Sequence, residues 1–402
     1  MTVAVLLSLA MVAACATAPD APQPRTLTVL MADDWAQNAP FIDAVRTFER
    51  QHPGVDVQVR GLPFNQIPAT VEASIGAGDP PDVAHFHAFA AAANGYAEPL
   101  DDVWSQSLQA EDFLPGAVED VSWAGRRYGV PLDTNAMVLF VNADALHRAG
   151  VPFPRGATTF GDMERIARAV TAPDGRRRGI ALAASSWTTY GWVRANGGEI
   201  MTVTDDGDVR FTLDDPAVVQ AVAFLGRLVR QGTAFPPSTR DVSSDAFTLF
   251  RSQSAALHVS GTWELAALDE LAPGFDYQIE PLPRGQDGTT VGSALGGSSL
   301  YVPTGAKHRK LAVDFMLHLT SDAYALRLAE EEGRLPAKRA LFDAPFFDTP
   351  AYRTVLRQLE TAHPLLGPAF PEAEEAFKQA YEAVFTGRAN AREALRRAQL
   401  RA

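Results

Sequence analysis

Leu27-Thr28-Val29-Leu30-Met31, an apolar run of strand length, opens the stretch that decides the fold. Behind it Asn38-Ala39-Pro40 predicts a helix start, and Phe41, Val45 and Phe48 then recur at i, i+4 and i+7 on one face. Pro53-Gly54 breaks that helix, and Val55, Val57 and Val59 alternate with polar residues as a half-buried strand does. A helical stretch from Ile67 to Ile75 stops at Gly76-Ala77-Gly78, and Asp82-Val83-Ala84-His85-Phe86 predicts a third strand. Strand, helix, strand, helix and strand between residues 27 and 86 imply a parallel α/β sheet.

The same alternation continues outward. After Gly129-Val130-Pro131, Met137 to Val141 reads as a strand, followed by a short helix closed by Gly150. Thr159 with Asp162 three residues on predicts a capped helix. Val218, Val222, Leu225 and Val229 give another helical face. Asp205-Asp206-Gly207-Asp208 predicts a hairpin turn between Met201-Thr202-Val203 and Val209-Arg210-Phe211-Thr212; a Ca²⁺ loop would need a Gly and a distal Glu at spacings that are absent. Residues 275–303 are extended and Gly-rich, and from His308 the pattern is mostly helical. No linker or fixed-period repeat separates these parts, which fits two α/β lobes joined more than once.

Composition sets the outer bounds. The chain has 402 residues, 47% hydrophobic and 21% charged, enough for two or three domains of about 150 residues, and excludes disorder or a fibre. A formal charge of −13 argues against a phosphate-tracking nucleic-acid binder. The single cysteine, Cys15, forbids an intrachain disulfide or a multi-thiolate metal site.

That cysteine follows an uncharged apolar run, Thr2 to Ala14, too short to span a bilayer but suited to a signal-peptide core. Val12-Ala13-Ala14-Cys15 resembles a bacterial lipobox, although no Lys or Arg precedes it. A buried N-terminal helix with an unreactive Cys15 is the competing reading. The expectation is a signal peptide over residues 1–14, lipidated Cys15 and a Pro-stiffened tether to residue 25, leaving the protein on the outer face of the bacterial cytoplasmic membrane.

Motifs for chemistry are missing. There is no P-loop, no Gly-x-Ser-x-Gly elbow and no His-Glu-x-x-His. His85 and His87 would project from one face of a strand, but no third metal ligand stands near them in sequence. The 48 acidic residues always supply candidate carboxylate pairs, and no motif singles one out. No catalytic residue, cofactor or metal is therefore expected.

Several segments in order resemble extracellular solute-binding proteins of family 1, the maltose-binding-protein-like sugar receptors of ABC importers. They include Gly78-Asp79-Pro80-Pro81-Asp82-Val83, Gly125 to Pro131, Asn196-Gly197-Gly198, Ser260-Gly261-Thr262-Trp263, Leu295-Gly296-Gly297 and Gly333-Arg334-Leu335-Pro336-Ala337. The resemblance implies an α/β, two-lobed periplasmic-binding-protein-like (type II) fold with a hinge and an interlobe cleft. One lobe is expected from residues 26–132 with 278–322, the other from 133–277 with 323–402. It also implies docking onto ABC permease transmembrane subunits; the protein itself is expected to be a monomer.

A sugar needs planar hydrogen-bonding groups for its hydroxyls and a flat aromatic surface for its C–H faces. Trp35, beside Asp33 and Asp34, follows the first strand at the end where open α/β sheets bind ligands. By the resemblance, Trp187, Tyr190 and Trp192 form part of an aromatic wall and Trp263 stacks on a sugar ring, with core burial the competing reading for Trp35 and these aromatics; Ser185 is a further ligand-binding candidate. Asn65, His85, His87, Asp133 and Asn135 are polar candidates; turn or hinge bonding competes for Asn65, Asp133 and Asn135. Gly296 and Gly297 could admit a ligand or serve a strand bend. Arg334 could fork to hydroxyls or to an anion, or pair with Glu330, Glu331 or Glu332. The expected ligand is a carbohydrate; glycerol 3-phosphate or a phosphodiester is the alternative on the same fold. A secreted glycan-processing enzyme or a signalling ectodomain would be alternatives of other classes.

Overall fold

The apolar run at Leu27 does form a strand, and its buried residues seed the first core. The structure is a computed structural model that describes residues 25–154, 158–204, 206–238, 244–289 and 291–402; the expected signal segment, lipidated Cys15 and the tether up to residue 24 fall on residues outside them. Among the described residues one sheet holds β1 (Arg25–Ala32), β2 (Val55–Leu62), β3 (Val83–Phe86), β4 (Gly129–Asn142), β5 (Arg178–Ala181), β6 (Ala255–Gly261), β7 (Tyr277–Glu280), β8 (Ser293–Tyr301) and β9 (Ala362–Pro364). Their order is β2-β1-β3-β8-β4-β6-β5, with β7 also on β4 and β9 on β8. β1 runs parallel to β2 and β3, as helical crossovers require.

The helices that position the site are α1 (Asp33–Ala36), α2 (Ala39–Gln51), α3 (Ile67–Gly76), α4 (Pro115–Asp120), α5 (Phe160–Val170), α6 (Ser186–Ala195), α7 (Pro216–Arg230), α8 (Glu264–Leu271), α9 (Asp322–Glu332) and α10 (Pro371–Phe385). Local chemistry sets their starts. Asn38 Oδ1 accepts from the Phe41 amide at 2.8 Å, capping α2. Thr159 and Asp162 close a reciprocal capping box on α5. On α2 the fully buried stripe is Phe41, Ala44 and Phe48, with Val45 packed at its edge. The 201–211 hairpin forms as expected, with Asp205 of its turn outside the described residues.

β4 joins the two lobes. Its first half pairs antiparallel with β8, from Gly129↔Tyr301 to Ala136↔Leu295, and its second half pairs with β6 and β7. Its alternating side chains divide the interior: Ala136, Val138 and Phe140 enter one core, while Met137, Leu139 and Val141 enter the other. A bulge between Ser298 and Ser299 faces Pro131, whose missing N–H could not complete a regular ladder there. β4 and β8 thus form a two-strand bridge between the lobes, and the C-terminal ends of β1, β3 and β6 bring the following residues towards it.

Candidate functional site

Three residues of β8, Leu295, Ser298 and Ser299, hold the site together. The Leu295 carbonyl accepts from Trp187 Nε1–H at 2.8 Å. Ser298 Oγ–H donates to Asp133 Oδ1 at 2.6 Å and accepts from His85 Nε2–H, also at 2.6 Å. Ser299 Oγ–H donates to Asp120 Oδ2 at 2.8 Å, and Asp120 Oδ1 lies 2.6 Å from His87 Nδ1. At about 3.3 Å per strand residue, the Trp187 anchor and the Asp133 network are about 10 Å apart.

Arg334 is the hub of the charged groups around Trp35. Its Nη2 lies 2.5 Å from Asp34 Oδ2, its Nη1 3.8 Å from Asp133 Oδ2, and its Cζ 4.2 Å from the Trp35 ring centroid. It pairs with these aspartates and not with Glu330–Glu332. The guanidinium covers a face of Trp35, which is only 2% exposed and also meets His85 edge-on. Trp35 therefore supports Arg334 instead of presenting an open stacking face.

Electrostatics separate the two histidines. The Ala32 amide donates to His85 Nδ1 at 3.3 Å, which leaves the other ring nitrogen to carry the proton. Burial, then the Arg334 and His87 charges, hold His85 well below its ordinary value, so it is neutral. Burial also opposes charge on His87, but Asp120, Asp133 and Glu374 outweigh it and raise its pKa. Burial raises Asp133 despite the opposing pull of Arg334 and Ser298. Glu374, on α10, is likewise raised by burial while Ser186 bonds it. Among the described residues, no group of three or more His, Cys, Asp or Glu side chains is arranged to hold a metal ion.

On the second lobe Trp263 is 45% exposed and packs on Trp187, with centroids 5.2 Å apart. Gly261 makes room for it: a β-carbon there would fall 1.8 Å from Trp263 Cζ3. Ser185 caps α6 through Thr188. Tyr190 lies in the core, 1% exposed, with its hydroxyl donating to Glu199 Oε2 at 3.0 Å.

Other candidates take bridge or surface roles. Asn135 Oδ1 is buried without a partner and overlies Gly296, where a β-carbon would come within 2.1 Å of it. Gly297 has φ +104°, and a β-carbon there would approach the Asp133 carbonyl to 2.3 Å. These glycines make space for β4. Asp33 Oδ1 sits against Gly61 of β2, and exposed Asn65 lines a surface groove along α3 with Gln66 and Ser74.

The sequence reading missed Asp34 on Arg334, Ser298, Ser299, Asp120, Glu374 and Phe64, whose ring meets both His85 and His87. It also missed Tyr324, a buried phenol without a partner, whose ionisation is disfavoured by burial and whose surroundings include Arg334 and Asp133. The Gly-Gly-Ser run offered a signal for Ser298. Asp120 and Glu374 sit in segments without any motif.

Two lobes bridged by β4 and β8, with aromatic and charged groups gathered at the bridge, define a two-lobed binding-protein architecture. The profile of bacterial extracellular solute-binding proteins matches residues 43–354, and the chain belongs to that family. It is accordingly an exported protein of a family of binding proteins. The maltodextrin-binding protein MdxE of Bacillus subtilis is 26% identical over 373 residues, covering 90% of this chain and 84% of that one. The sugar-binding protein MalE of Xanthomonas citri superposes with a TM-score of 0.81 at 20% identity, covering 94% of this chain and 96% of that one. UgpB of Mycobacterium tuberculosis, solved with glycerophosphocholine, superposes at 0.77 with 23% identity, covering 94% and 97%.

Proposed function

We propose that the protein is the substrate-binding lipoprotein of an ABC importer, capturing a carbohydrate between its lobes and delivering it to the permease. One observation carries the reading. β8 ties the Trp187–Trp263 pair, through the Leu295 carbonyl, to the strand whose Ser298, three residues on, holds a fixed array of carboxylates beside the Arg334 guanidinium. An aromatic face beside planar donors and acceptors is what a sugar's alternating C–H and hydroxyl surfaces require. Binding to the relatives' class of ligand, and a lipid anchor at Cys15 that keeps the monomeric receptor near its permease, complete the reading.

The phosphodiester alternative is disfavoured by charge. Arg334 already faces Asp34 and Asp133, so a phosphate would meet carboxylates there. Binding without catalysis is supported by the relay at Ser298. His85 donates to that hydroxyl instead of accepting its proton, so it is not the base of a Ser–His nucleophile pair.

Thermal unfolding of residues 25–402 with mono- and oligosaccharides, sn-glycerol 3-phosphate and glycerophosphocholine tests the reading. A saccharide at 100 times its Kd is expected to stabilise by about 2.7 kcal/mol. Stabilisation by the phosphates alone, or turnover of any saccharide, would overturn it.

A further inference from the structure

Trp263 stands on a short turn between β6 and α8, and the next residue doubles back beneath it. Glu264 is 4% exposed. Its Oε1 accepts from Ser260 Oγ at 2.7 Å and its Oε2 from His258 Nε2 at 2.9 Å. His258 and Ser260 are two residues apart on β6, so they project from one face of the strand. His258 is 1% exposed and packs beside the Phe140 and Phe250 rings, with centroids at 6.0 and 5.8 Å. Thr262, inside the turn, buries its hydroxyl without a partner. Trp263 itself makes no side-chain bond as the cap of α8. Within the turn one backbone bond, from the Leu265 amide to the Thr262 carbonyl at 3.2 Å, spans Trp263, and the carboxylate immediately after Trp263 is fixed at both oxygens.

We propose that Glu264, with His258 and Ser260, is a buried clamp that positions Trp263 over Gly261 and against Trp187, ready to meet the ligand. The role in ligand capture rests on the carbohydrate-binding reading; the positioning itself does not. Releasing either carboxylate oxygen leaves a buried polar group unpaired and loosens the turn at the point where the indole is attached. These are positioning residues, since they act through Trp263.

The decisive measurement needs no ligand. Acrylamide quenching and emission of Trp263 are obtained as the difference between each protein and its W263F counterpart. Glu264→Ala is expected to raise the quenching constant and shift the emission to the red, as the indole leaves Gly261 and Trp187. Glu264→Gln keeps both bonds, with its amide oxygen accepting from His258 and its NH₂ donating to Ser260, and is expected to restore the parent's quenching. Should Glu264→Ala fail to fold, Ser260→Ala removes one bond and leaves the His258 contact. Unchanged Trp263 quenching in both alanine variants would overturn the clamp, as would Glu264→Gln behaving like Glu264→Ala. Binding of maltotriose provides the second arm. If Trp263→Ala leaves parental maltotriose binding intact, the ligand-contact role of Trp263 fails, and the fluorescence result still decides the clamp.

Discussion

Arg334 combines three contacts that no other cation could reproduce together. Its planar fork reaches Asp34 and approaches Asp133 while its face lies 4.2 Å from the Trp35 ring centroid. Removing it would leave Asp133, already buried and raised, without its cation. Arg334→Ala is therefore expected to weaken saccharide binding about tenfold or more and to lower stability by about 1–3 kcal/mol, read by calorimetric titration and urea unfolding. Arg334→Lys should recover little of the affinity, because an ammonium cannot span both aspartates and stack; full recovery would show that charge alone suffices. The Gly-Arg-Leu-Pro-Ala segment singled this residue out as a candidate, but its partners were not legible. Asp33 and Asp34 are indistinguishable in sequence, and only the turn of α1 decides which carboxylate meets a group 300 positions away.

At the scale of elements, β8 is where the sequence said least. Capped helices announced themselves because Asn38, Thr159 and Asp162 act within a turn of their own backbone. The 275–303 segment read only as extended and Gly-rich, because its meaning lies in the strand beside it. Met137–Val141 was visible as a strand; its continuation from Gly129 was hidden by Pro131, which the bulge at Ser298–Ser299 accommodates. The glycines can be graded by experiment. Gly78 has φ +72° and open space around it, so Gly78→Ala should cost about 1–2 kcal/mol, the left-handed penalty alone. Gly297 combines φ +104° with the Asp133 carbonyl 2.3 Å from any β-carbon, so Gly297→Ala should cost clearly more in urea unfolding. Equal costs would show that the β4–β8 bridge yields easily.

At the scale of the whole molecule, the two histidines that end β3 give the protein two opposed responses to pH. His85 is held well below its ordinary 6.5 by burial, Arg334 and His87. Below pH 6.5 the unfolded chain takes up a proton that folded His85 refuses, so this site's stability contribution is lost as pH falls towards its folded value. His87 is displaced upward from 6.5, with Asp120, Asp133 and Glu374 outweighing the cost of burial. Its contribution is fully present below pH 6.5 and is lost as pH rises through the folded value. Each site can contribute a slope of up to about 1.4 kcal/mol per pH unit within its own window. His318, also lowered, acts with His85, while the raised Asp133 and Glu374 lose their contributions as pH rises through their own folded values. Those groups remain in every variant; the His87 charge also lowers His85 and Glu374, so the His87→Gln difference reports His87 together with those two neighbours. Urea unfolding across pH 5 to 8 should show His85→Gln less sensitive to acid than the parent, and His87→Gln less sensitive to alkali, whatever each loses overall. An acid limb for His85→Gln that runs parallel to the parent's would mean that the His85–Ser298–Asp133 chain does not exclude a proton from the folded state.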